Sequence, residues 1–224
     1  MWDGQAGRLS HSYQVIRYDA RGHGESEASR PPYALSTLVE DARSLLDALG
    51  VEKAHNVGLS LGGMVGQMFA ARYPQRLLSL SLCDTSAIMN RAVWDERIEL
   101  AQRLGIAPVV EPSLERWFTK NFRDNNTTVI EGFRQMIART SLDGYLGSGS
   151  ALRDMNNIEL LSQISTPTLI VVGRHDPSTP PSAAELLHSK IANSSLVIIE
   201  EAAHLPNIEQ AKQFNEILEE FLAP

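Results

Sequence analysis

Short apolar segments rich in β-branched residues alternate along the chain with segments of helical periodicity, and this alternation is the feature that most constrains the fold. Such alternation predicts an α/β fold, in which a mostly parallel sheet is covered by helices on both faces. Five segments are predicted to be strands: 13–19 (YQVIRYD), 54–60 (AHNVGLS), 77–84 (LLSLSLCD), 166–173 (TPTLIVVG) and 194–202 (SSLVIIEEA).

Helical patterns occupy the spaces between these strands. A serine near its start and a glycine at its end mark the first helix, and prolines mark the end of the second and the start of the third. The predicted helices are 35–50 (LSTLVEDARSLLDALG), 62–74 (GGMVGQMFAARYP), 181–192 (PSAAELLHSKIA) and 207–222 (NIEQAKQFNEILEEFL).

The alternation stops between residues 85 and 165, where only helical patterns occur. A segment of this length is improbable as an unstructured loop in a compact domain, so an inserted helical cap is predicted at 86–164. The core then consists of residues 1–85 and 165–224. Aromatic residues give the cap an apolar surface, which is expected to pack against the end of the sheet: Trp94, Trp117, Phe118, Phe122, Phe133 and Tyr145.

The composition excludes several classes of function. The chain has 224 residues, of which 43% are hydrophobic and 21% charged, and its formal net charge is −7. Because nucleic acids and anionic membranes are reached through basic patches, neither is expected as a partner. No apolar run is long enough to predict a membrane span, and the start (MWDGQAGRLSHSYQ) has no secretory signal pattern. The single cysteine, Cys83, is expected to be a buried structural thiol, and a cytoplasmic location is expected. A homo-oligomer is left open.

A serine between two glycines lies where the second predicted strand meets the following helix. The stretch Gly58-Leu59-Ser60-Leu61-Gly62 fits the pattern G-x-S-x-G, in which a sharp turn exposes the serine hydroxyl. The two glycines are expected because side chains at 58 and 62 would clash where strand and helix converge. At the helix start, the Leu61 amide can donate to an oxyanion. The pattern predicts a nucleophilic Ser60, with a structural turn as the alternative.

Two further residues follow later strands in the order that this chemistry requires. A serine hydroxyl is a weak nucleophile, so it needs a base and a carboxylate that orients the base. Asp176 follows the strand at 166–173, and His204 follows the strand at 194–202. Because catalytic groups in open α/β sheets gather at the carboxyl ends of strands, these residues are expected to form a triad with Ser60. Two plainer roles remain open: Asp176 as a helix N-cap and His204 as a hydrogen-bonded core histidine.

Other histidines and cofactor patterns are less informative. His175 is expected to point away from Asp176 and to serve as wall or surface, and His23 (in DARGHGES) is expected to belong to a tight turn. The sequence has no His/Cys/Glu cluster at metal-ligand spacing and no G-x-G-x-x-G after a strand. Neither a metal nor another cofactor is therefore expected.

These residues resemble the α/β-hydrolase family, and specifically the bacterial 3-oxoadipate enol-lactonases. The serine motif and RGHG are shared by many α/β-hydrolases, whereas CDTSA, RWFT and AAHLPNIEQ are more specific. The resemblance covers essentially the whole chain through MWD, VIRYDARGHGES, VGLSLGGMVGQ, CDTSA, ERWFT, ALRDM, VVGRHDPSTPP and AAHLPNIEQ. It implies an α/β-hydrolase fold with a helical cap.

The resemblance also implies an activity and a role for each matched residue. Ser60 would be the nucleophile, His204 the base, Asp176 the residue that orients it, and the Leu61 amide one oxyanion donor. Enzymes of this family hydrolyse 3-oxoadipate enol-lactone to 3-oxoadipate in aromatic-compound breakdown, without a cofactor. The implied partner is a small-molecule ester or lactone that carries a carboxylate.

A substrate carboxylate calls for a cation in the pocket. Arg116, beside Trp117 in the predicted cap, is the candidate, with a surface role as the alternative. Three other arginines of the cap could serve instead: Arg134, Arg139 and Arg153.

The resemblance has one departure. Family members begin with additional strands and a loop that supplies the second oxyanion amide, whereas this sequence starts at MWD. One of those strands would lie between 13–19 and 54–60, so unpaired strand edges are expected. Loss of one oxyanion donor costs about 10²- to 10³-fold in rate. Besides an enol-lactonase, a general short-chain carboxylesterase and a non-catalytic remnant therefore stay open.

Overall fold

Four parallel strands form one sheet in the computed structural model, which describes residues 1–223. The strand order is β1-β2-β3-β4, and every neighbouring pair is parallel. Leu59 pairs with Cys83, so β1 and β2 end side by side. The strands are β1 (Ala54–Leu59), β2 (Leu77–Cys83), β3 (Thr168–Gly173) and β4 (Ser194–Ile199). The predicted α/β architecture with a parallel sheet is thereby confirmed.

Helices and loops form the remainder of the described chain, with short 3₁₀ turns at Pro74–Arg76, Ala107–Val109 and Ile158–Gln163. The α-helices are α1 (Asp3–Leu9), α2 (Leu35–Ala48), α3 (Leu61–Arg72), α4 (Arg91–Leu104), α5 (Val110–Trp117), α6 (Lys120–Asn125), α7 (Thr127–Ala138), α8 (Leu142–Asp154), α9 (Pro181–Lys190), α10 (Pro206–Glu209) and α11 (Ala211–Leu222).

The sheet is buried on both faces, which explains why its strands are apolar throughout. Successive side chains of a strand point to opposite faces. On β3, Ile170 and Val172 belong to a cluster with α2, α3 and α9. Leu169 and Val171 belong to a second cluster with α11, α5 and α7. The parallel sheet therefore forms the centre of the core, as expected for a sheet covered by helices.

The segment between β2 and β3 contains helices α4 to α8, where helical patterns were predicted. Helices α5 and α7 share an apolar cluster with α11 of the chain's C-terminal part. Residues of α8 pack with α2 and α3. Apolar side chains of this segment thus belong to both apolar clusters, one on each face of the sheet.

The strand predicted at 13–19 does not form. None of these residues belongs to a helix or a strand among residues 1–223. The prediction was wrong because β-branched and aromatic residues give a segment β-propensity, whereas hydrogen bonding to a neighbouring strand makes it a strand. Val15 and Tyr18 are exposed, while the Tyr13 hydroxyl donates to the Leu222 carbonyl at 2.6 Å. Helix α1, just before this segment, was not predicted.

Two expectations from composition can be compared with the structure. Cys83 is fully buried in β2, as predicted for a structural thiol, and burial raises the pKa of its thiol well above the usual value. Within residues 1–223, no helix combines the length and apolar character needed to cross a bilayer.

Leucine side chains on β2 offer a test of the core. Leu80 is fully buried between helices, whereas Leu78 is 49% exposed on the same strand. Leu80→Ala is expected to lower the free energy of unfolding by about 2–5 kcal/mol, because it removes apolar contacts and leaves a cavity. Leu78→Ala is the matched control and should change it by less than about 1 kcal/mol. Urea denaturation of both variants measures the difference, and equal losses would contradict the assigned core.

Candidate active site

Ser60 occupies a strained turn between β1 and α3. Its φ is 53° and its ψ is −117°, in a region that residues with a side chain rarely adopt. Two contacts with the end of β2 hold the turn: the Ser60 amide donates to the Cys83 carbonyl at 2.9 Å, and the Thr85 hydroxyl donates to the Ser60 carbonyl at 2.8 Å. The hydroxyl of Ser60 lies at the carboxyl edge of the sheet on a half-buried residue.

The glycines around Ser60 differ in importance. A Cβ at Gly58 would overlap the backbone of Gly62, so the close approach of β1 and α3 requires glycine there. A Cβ at Gly62 would meet no described atom within 4 Å, so the expectation that residue 62 must be glycine was wrong. Gly63 is confined instead, because a Cβ there would lie 2.8 Å from the Thr85 side chain. Strand β1 thus meets the backbone of α3 at Gly62, whereas the side-chain position that must stay empty on α3 is residue 63, which faces the segment after β2.

Leu61 is the first residue of α3. The first backbone N–H groups of an α-helix have no acceptor within the helix, and the helix dipole adds partial positive charge there. The Leu61 amide therefore has the position and polarity expected of an oxyanion donor. Among residues 1–223, we identify no second backbone amide as an oxyanion donor.

Asp176 and His204 are brought together in a buried pair beyond the ends of β3 and β4. The Nδ1 of His204 lies 2.7 Å from Oδ2 of Asp176, and both residues are buried. Asp176 also accepts the backbone N–H groups of Ser178 and Thr179 at 2.8 and 3.1 Å and the Thr179 hydroxyl at 2.6 Å. Asp176 does not cap the next helix, since α9 begins at Pro181. These bonds give each carboxylate oxygen of Asp176 at least one donor.

The electrostatics of Asp176 favour its charged form. Burial raises the pKa of this carboxyl, but the hydrogen bond and charge of His204 and the Thr179 and Ser178 donors outweigh burial. The net result is a lowered pKa. An ionised carboxylate next to Nδ1 selects the histidine tautomer that carries its proton there, which frees Nε2 to act as a base.

The structure does not join Ser60 to His204 by a hydrogen bond. Within residues 1–223, the Ser60 hydroxyl has no hydrogen-bond partner, whereas His204 bonds to Asp176. Both residues lie at the carboxyl edge of one sheet, on either side of β2 and β3. Nucleophile–base contacts are often long in unliganded enzymes and shorten when substrate binds. The geometry thus unites two members of the predicted triad and places the third at the same edge.

Contacts from the segment 86–164 hold the loop that carries His204. Glu209 of α10 accepts the Ala203 amide at 2.7 Å, and it also accepts the Thr119 hydroxyl and amide at 2.7 and 3.1 Å. The Leu205 amide donates to the Trp117 carbonyl at 3.2 Å. The sequence reasoning missed Glu209, because its position in AAHLPNIEQ shows only that it starts a helix. Its carboxylate joins Thr119 of the predicted cap to Ala203 on one side of His204, while the Trp117 carbonyl holds Leu205 on the other side.

Arg116 and Trp117 lie at the end of α5, against this loop. Trp117 packs edge-on against Phe133, with ring centroids 6.4 Å apart. Arg116 is half-buried, and its guanidinium donates to the Ser113 hydroxyl at 3.1 Å. Burial, and then the positive charge of Arg97, lower the pKa of Arg116 to about 10. Among residues 1–223 it forms no salt bridge, and the charge of the neighbouring Glu115 only partly opposes the lowering of its pKa.

Arg97 was not among the predicted site residues. It lies on α4, half-buried, with its guanidinium carbon 5.0 Å from the centre of the Trp94 ring. Like Arg116, it has no carboxylate partner within the described chain. No motif marks it, because only the packing of α4 near α5 brings the two arginines together.

The alternative cap arginines are differently placed. Arg134 pairs with Glu111 and Glu131, and Arg153 pairs with Asp154 and Asp95. Arg139 is exposed at the end of α7. Salt bridges therefore already satisfy two of the three, and the third lies in solvent.

Asp84, at the end of β2, is a further buried carboxyl group that the sequence reasoning missed. Its backbone has φ of 42°, and its Oδ1 accepts the Gly173 amide at 2.9 Å. Within the described residues its Oδ2 is buried without a hydrogen-bond partner. Oxygens of Asp84 and Asp176 and a nitrogen of His204 all lie within 4.8 Å of one another. Its location directly after a strand, in CDTSA, was the available signal.

These three residues are also the one group within residues 1–223 whose spacing could suit a metal ion. The Nδ1 of His204 and Oδ2 of Asp176 already bond to each other at 2.7 Å, so a cation between them would break that bond. We therefore assign the group to a hydrogen-bond network. His175 is exposed, as expected for a surface position, and Nδ1 of His23 contacts the Arg21 carbonyl at 3.2 Å within the turn predicted for it.

Comparison with known proteins shows relatives along the whole chain. The model of the alpha/beta hydrolase family matches residues 1–217. The chain is 33% identical over 220 residues to 3-oxoadipate enol-lactonase 2 of Acinetobacter baylyi, covering 98% of this chain and 82% of that protein.

Solved structures agree with the sequence relatives. A hydrolase from Pseudomonas aeruginosa PA01 superposes with a TM-score of 0.96 at 40% identity, covering 100% of this chain and 84% of that one. The enol-lactonase from Burkholderia xenovorans LB400 superposes with a TM-score of 0.97 at 32% identity, covering 100% and 86%. The resemblance stated from sequence motifs is thereby confirmed.

The two glycines that flank Ser60 should respond differently to the same change. Gly58→Ala is expected to destabilise the fold by more than about 2 kcal/mol, because its methyl group would overlap the backbone of Gly62. Gly62→Ala, the matched control, should be neutral or stabilising by up to about 1 kcal/mol, since alanine favours helix and the space is open. Thermal unfolding measures both, and similar losses would refute the assigned turn geometry.

Proposed function

The chain belongs to the alpha/beta hydrolase family, and from this premise we propose that it hydrolyses a carboxylic ester or lactone through a serine acyl-enzyme. The proposed substrate is 3-oxoadipate enol-lactone. The observation that carries the proposal is the strained Ser60 at one end of the sheet edge, with the buried Asp176–His204 pair further along that edge. Similarity to enol-lactonases supports the choice of substrate.

The proposed reaction has two halves, formation of the acyl-enzyme and its hydrolysis. Ser60 attacks the lactone carbonyl while Nε2 of His204 accepts its proton, and the Leu61 amide stabilises the oxyanion. Collapse of the intermediate breaks the ring C–O bond, and protonated His204 gives its proton to the departing oxygen, which becomes an enol that remains part of the acyl group. Water, deprotonated by His204, then attacks the acyl-enzyme and regenerates Ser60. Asp176 keeps the imidazole oriented and stabilises its positive charge in both halves.

We further propose that residues 86–164 form a cap on a core made of residues 1–85 and 165–224, and that this cap selects anionic substrates. Residue 224 of that core lies outside the described chain. Support comes from Arg116, a half-buried cation without a carboxylate partner within residues 1–223, at the α5 end that contacts the His204 loop. A substrate carboxylate bound there would compensate its charge with a charge-assisted hydrogen bond. Trp117 would form an apolar wall beside it, and Arg97 would add a second positive charge.

Replacing the proposed nucleophile gives the first functional test. Ser60→Ala is expected to lower hydrolysis of p-nitrophenyl acetate by about 10³-fold or more, because no other group then forms the acyl-enzyme. The wild-type chain should also show a covalent acetyl adduct by mass spectrometry. Ser189→Ala, which changes an exposed serine of α9, is the matched control and should retain full activity.

Two results would count against this assignment. Unchanged turnover in Ser60→Ala would remove Ser60 as nucleophile. A folded wild-type chain that neither turns over the ester nor forms an adduct would favour the non-catalytic alternative.

The substrate class is tested by comparing kcat/KM for the enol-lactone acid and for its neutral methyl ester. The acid is expected to be preferred by about 10- to 100-fold, the effect of a hydrogen bond between charged groups. Arg116→Gln should abolish the preference by raising KM for the acid alone. Arg139→Gln, at an exposed arginine of the same segment, is the control and should keep it.

A wild-type enzyme that hydrolyses both compounds equally would instead favour a general short-chain carboxylesterase. If Arg116→Gln keeps the preference, the cation for the substrate lies elsewhere in the cap.

A further inference from the structure

We propose that Asp84 is a positioning residue that is protonated at neutral pH, with its Oδ2–H donating a hydrogen bond to the Asp176 carboxylate beside His204. Asp84 lies at the end of β2, between the strand that leads to Ser60 and the strand that leads to Asp176. Nothing in the proposed reaction uses this residue, although it is completely buried within the candidate site.

The two oxygens of Asp84 have different surroundings. Oδ1 accepts the Gly173 amide at 2.9 Å, so it requires a lone pair and no proton. Oδ2 is buried with no hydrogen-bond partner among residues 1–223, although one oxygen of Asp176 and one nitrogen of His204 lie within 4.8 Å of a carboxyl oxygen of Asp84. A buried carboxylate oxygen without a donor is strongly unfavourable. A proton on Oδ2 removes the charge and provides a donor that faces an acceptor.

The neighbouring groups determine which of the two aspartates carries the proton. Asp176 receives donors from His204, Thr179 and Ser178, which stabilise its negative charge. Asp84 receives the Gly173 amide alone. Two carboxylates at such a distance in a buried site do not both ionise. The proton therefore resides on Asp84.

The electrostatic environment agrees with this geometry. Burial, and then the negative charge of Asp176, raise the pKa of Asp84 well above its ordinary value, and the Gly173 amide opposes the shift. The ionisable groups that face Asp84 are Cys83 from its own strand, Asp176, His204 and, further away, Glu209. Because Asp176 and Glu209 are themselves acidic, neither can compensate a negative charge on Asp84.

The positioning role, which rests on the proposed function, follows from the backbone contacts of Asp84. Its amide donates to the Val171 carbonyl at 2.8 Å and its side chain accepts from Gly173, so it is fixed to the last residues of β3. A hydrogen bond from this fixed carboxyl would hold Asp176 in the rotamer that reaches His204. Asparagine at 84 can make both side-chain bonds, and it tolerates the positive φ.

Folding stability tests the protonation without substrate. An unfolded aspartate titrates near pH 4. Because the pKa of Asp84 is raised in the native state, the native protein retains a proton that the unfolded chain has lost above about pH 4. The free energy of unfolding is therefore greatest below about pH 4 and falls as the pH rises towards the native pKa. Between about pH 5 and 7, the wild-type folding constant should fall tenfold per pH unit relative to Asp84→Asn, which cannot ionise.

Urea denaturation at several pH values measures this difference, and Asp124→Asn, at an exposed aspartate of α6, is the control that should run parallel to wild type. Wild type should also show the infrared carbonyl band of a buried carboxylic acid that is missing from Asp84→Asn. Parallel stability curves for wild type and Asp84→Asn, or an unchanged infrared band, would overturn the protonated state.

Kinetics test the positioning role. Asp84→Asn should keep kcat, whereas Asp84→Ala should lower kcat by about tenfold or more with KM unchanged, because Asp176 loses a donor. Equal losses in both variants, or a loss confined to KM, would overturn the role. If Asp84→Ala does not fold, Asp84→Ser provides the same contrast. Because the stability and infrared measurements need no turnover, an inactive wild-type chain would count against the proposed function and not against the protonation of Asp84.

Discussion

The hydrogen bond between Nδ1 of His204 and Oδ2 of Asp176 is the contact on which the candidate site depends. Its two residues come from different loops, 28 positions apart in the chain. Pairing of β3 with β4 extends to Gly173 and Ile199, and beyond it the amides of Arg174 and His175 donate to the carbonyls of Ile199 and Ala202. The parallel sheet therefore fixes both loops before any side chain contributes. A shift of one residue in this register would turn the side chains of β4 to the opposite face of the sheet and displace the loop that follows it.

Burial of this pair sets the chemistry of its surroundings. A carboxylate out of water is costly unless donors surround it, and Asp176 has them in Thr179, Ser178 and His204. A second charge at Asp84 would have no such compensation, so the site accommodates one negative charge. Glu209 accepts three hydrogen bonds, two from Thr119 and one from the Ala203 amide, and so stabilises the loop that carries His204. The same contacts couple the position of His204 to the predicted cap.

Sequence reasoning found the features that depend on local pattern and on strand ends. The helices, four strands and the loop positions of Ser60, Asp176 and His204 follow from periodicity and from the rule that functional groups follow parallel strands. It failed where the outcome depends on a distant neighbour: the segment 13–19 has strand-like residues but no strand beside it. The open space at Gly62 likewise depends on what packs over the start of α3. The contacts of Asp84, Glu209 and Arg97 exist only in the fold: Asp84 had the signal of its location after a strand, whereas Arg97 belongs to no motif.

The distribution of charge across the site favours an anionic ligand. On the core side, each oxygen of Asp176 has a donor, so this carboxylate has no need of a cation from the cap. On the cap side, Arg116 and Arg97 repel each other, and neither has a carboxylate partner among residues 1–223. Arg134 and Arg153 of the same segment, in contrast, each form a salt bridge with a carboxylate. A protein carboxylate beside Arg116 would stabilise the empty site and would compete with the substrate. Without one, the substrate carboxylate of the proposed function would interact with Arg116 free of competition, and the same contact would both bind and orient the proposed lactone.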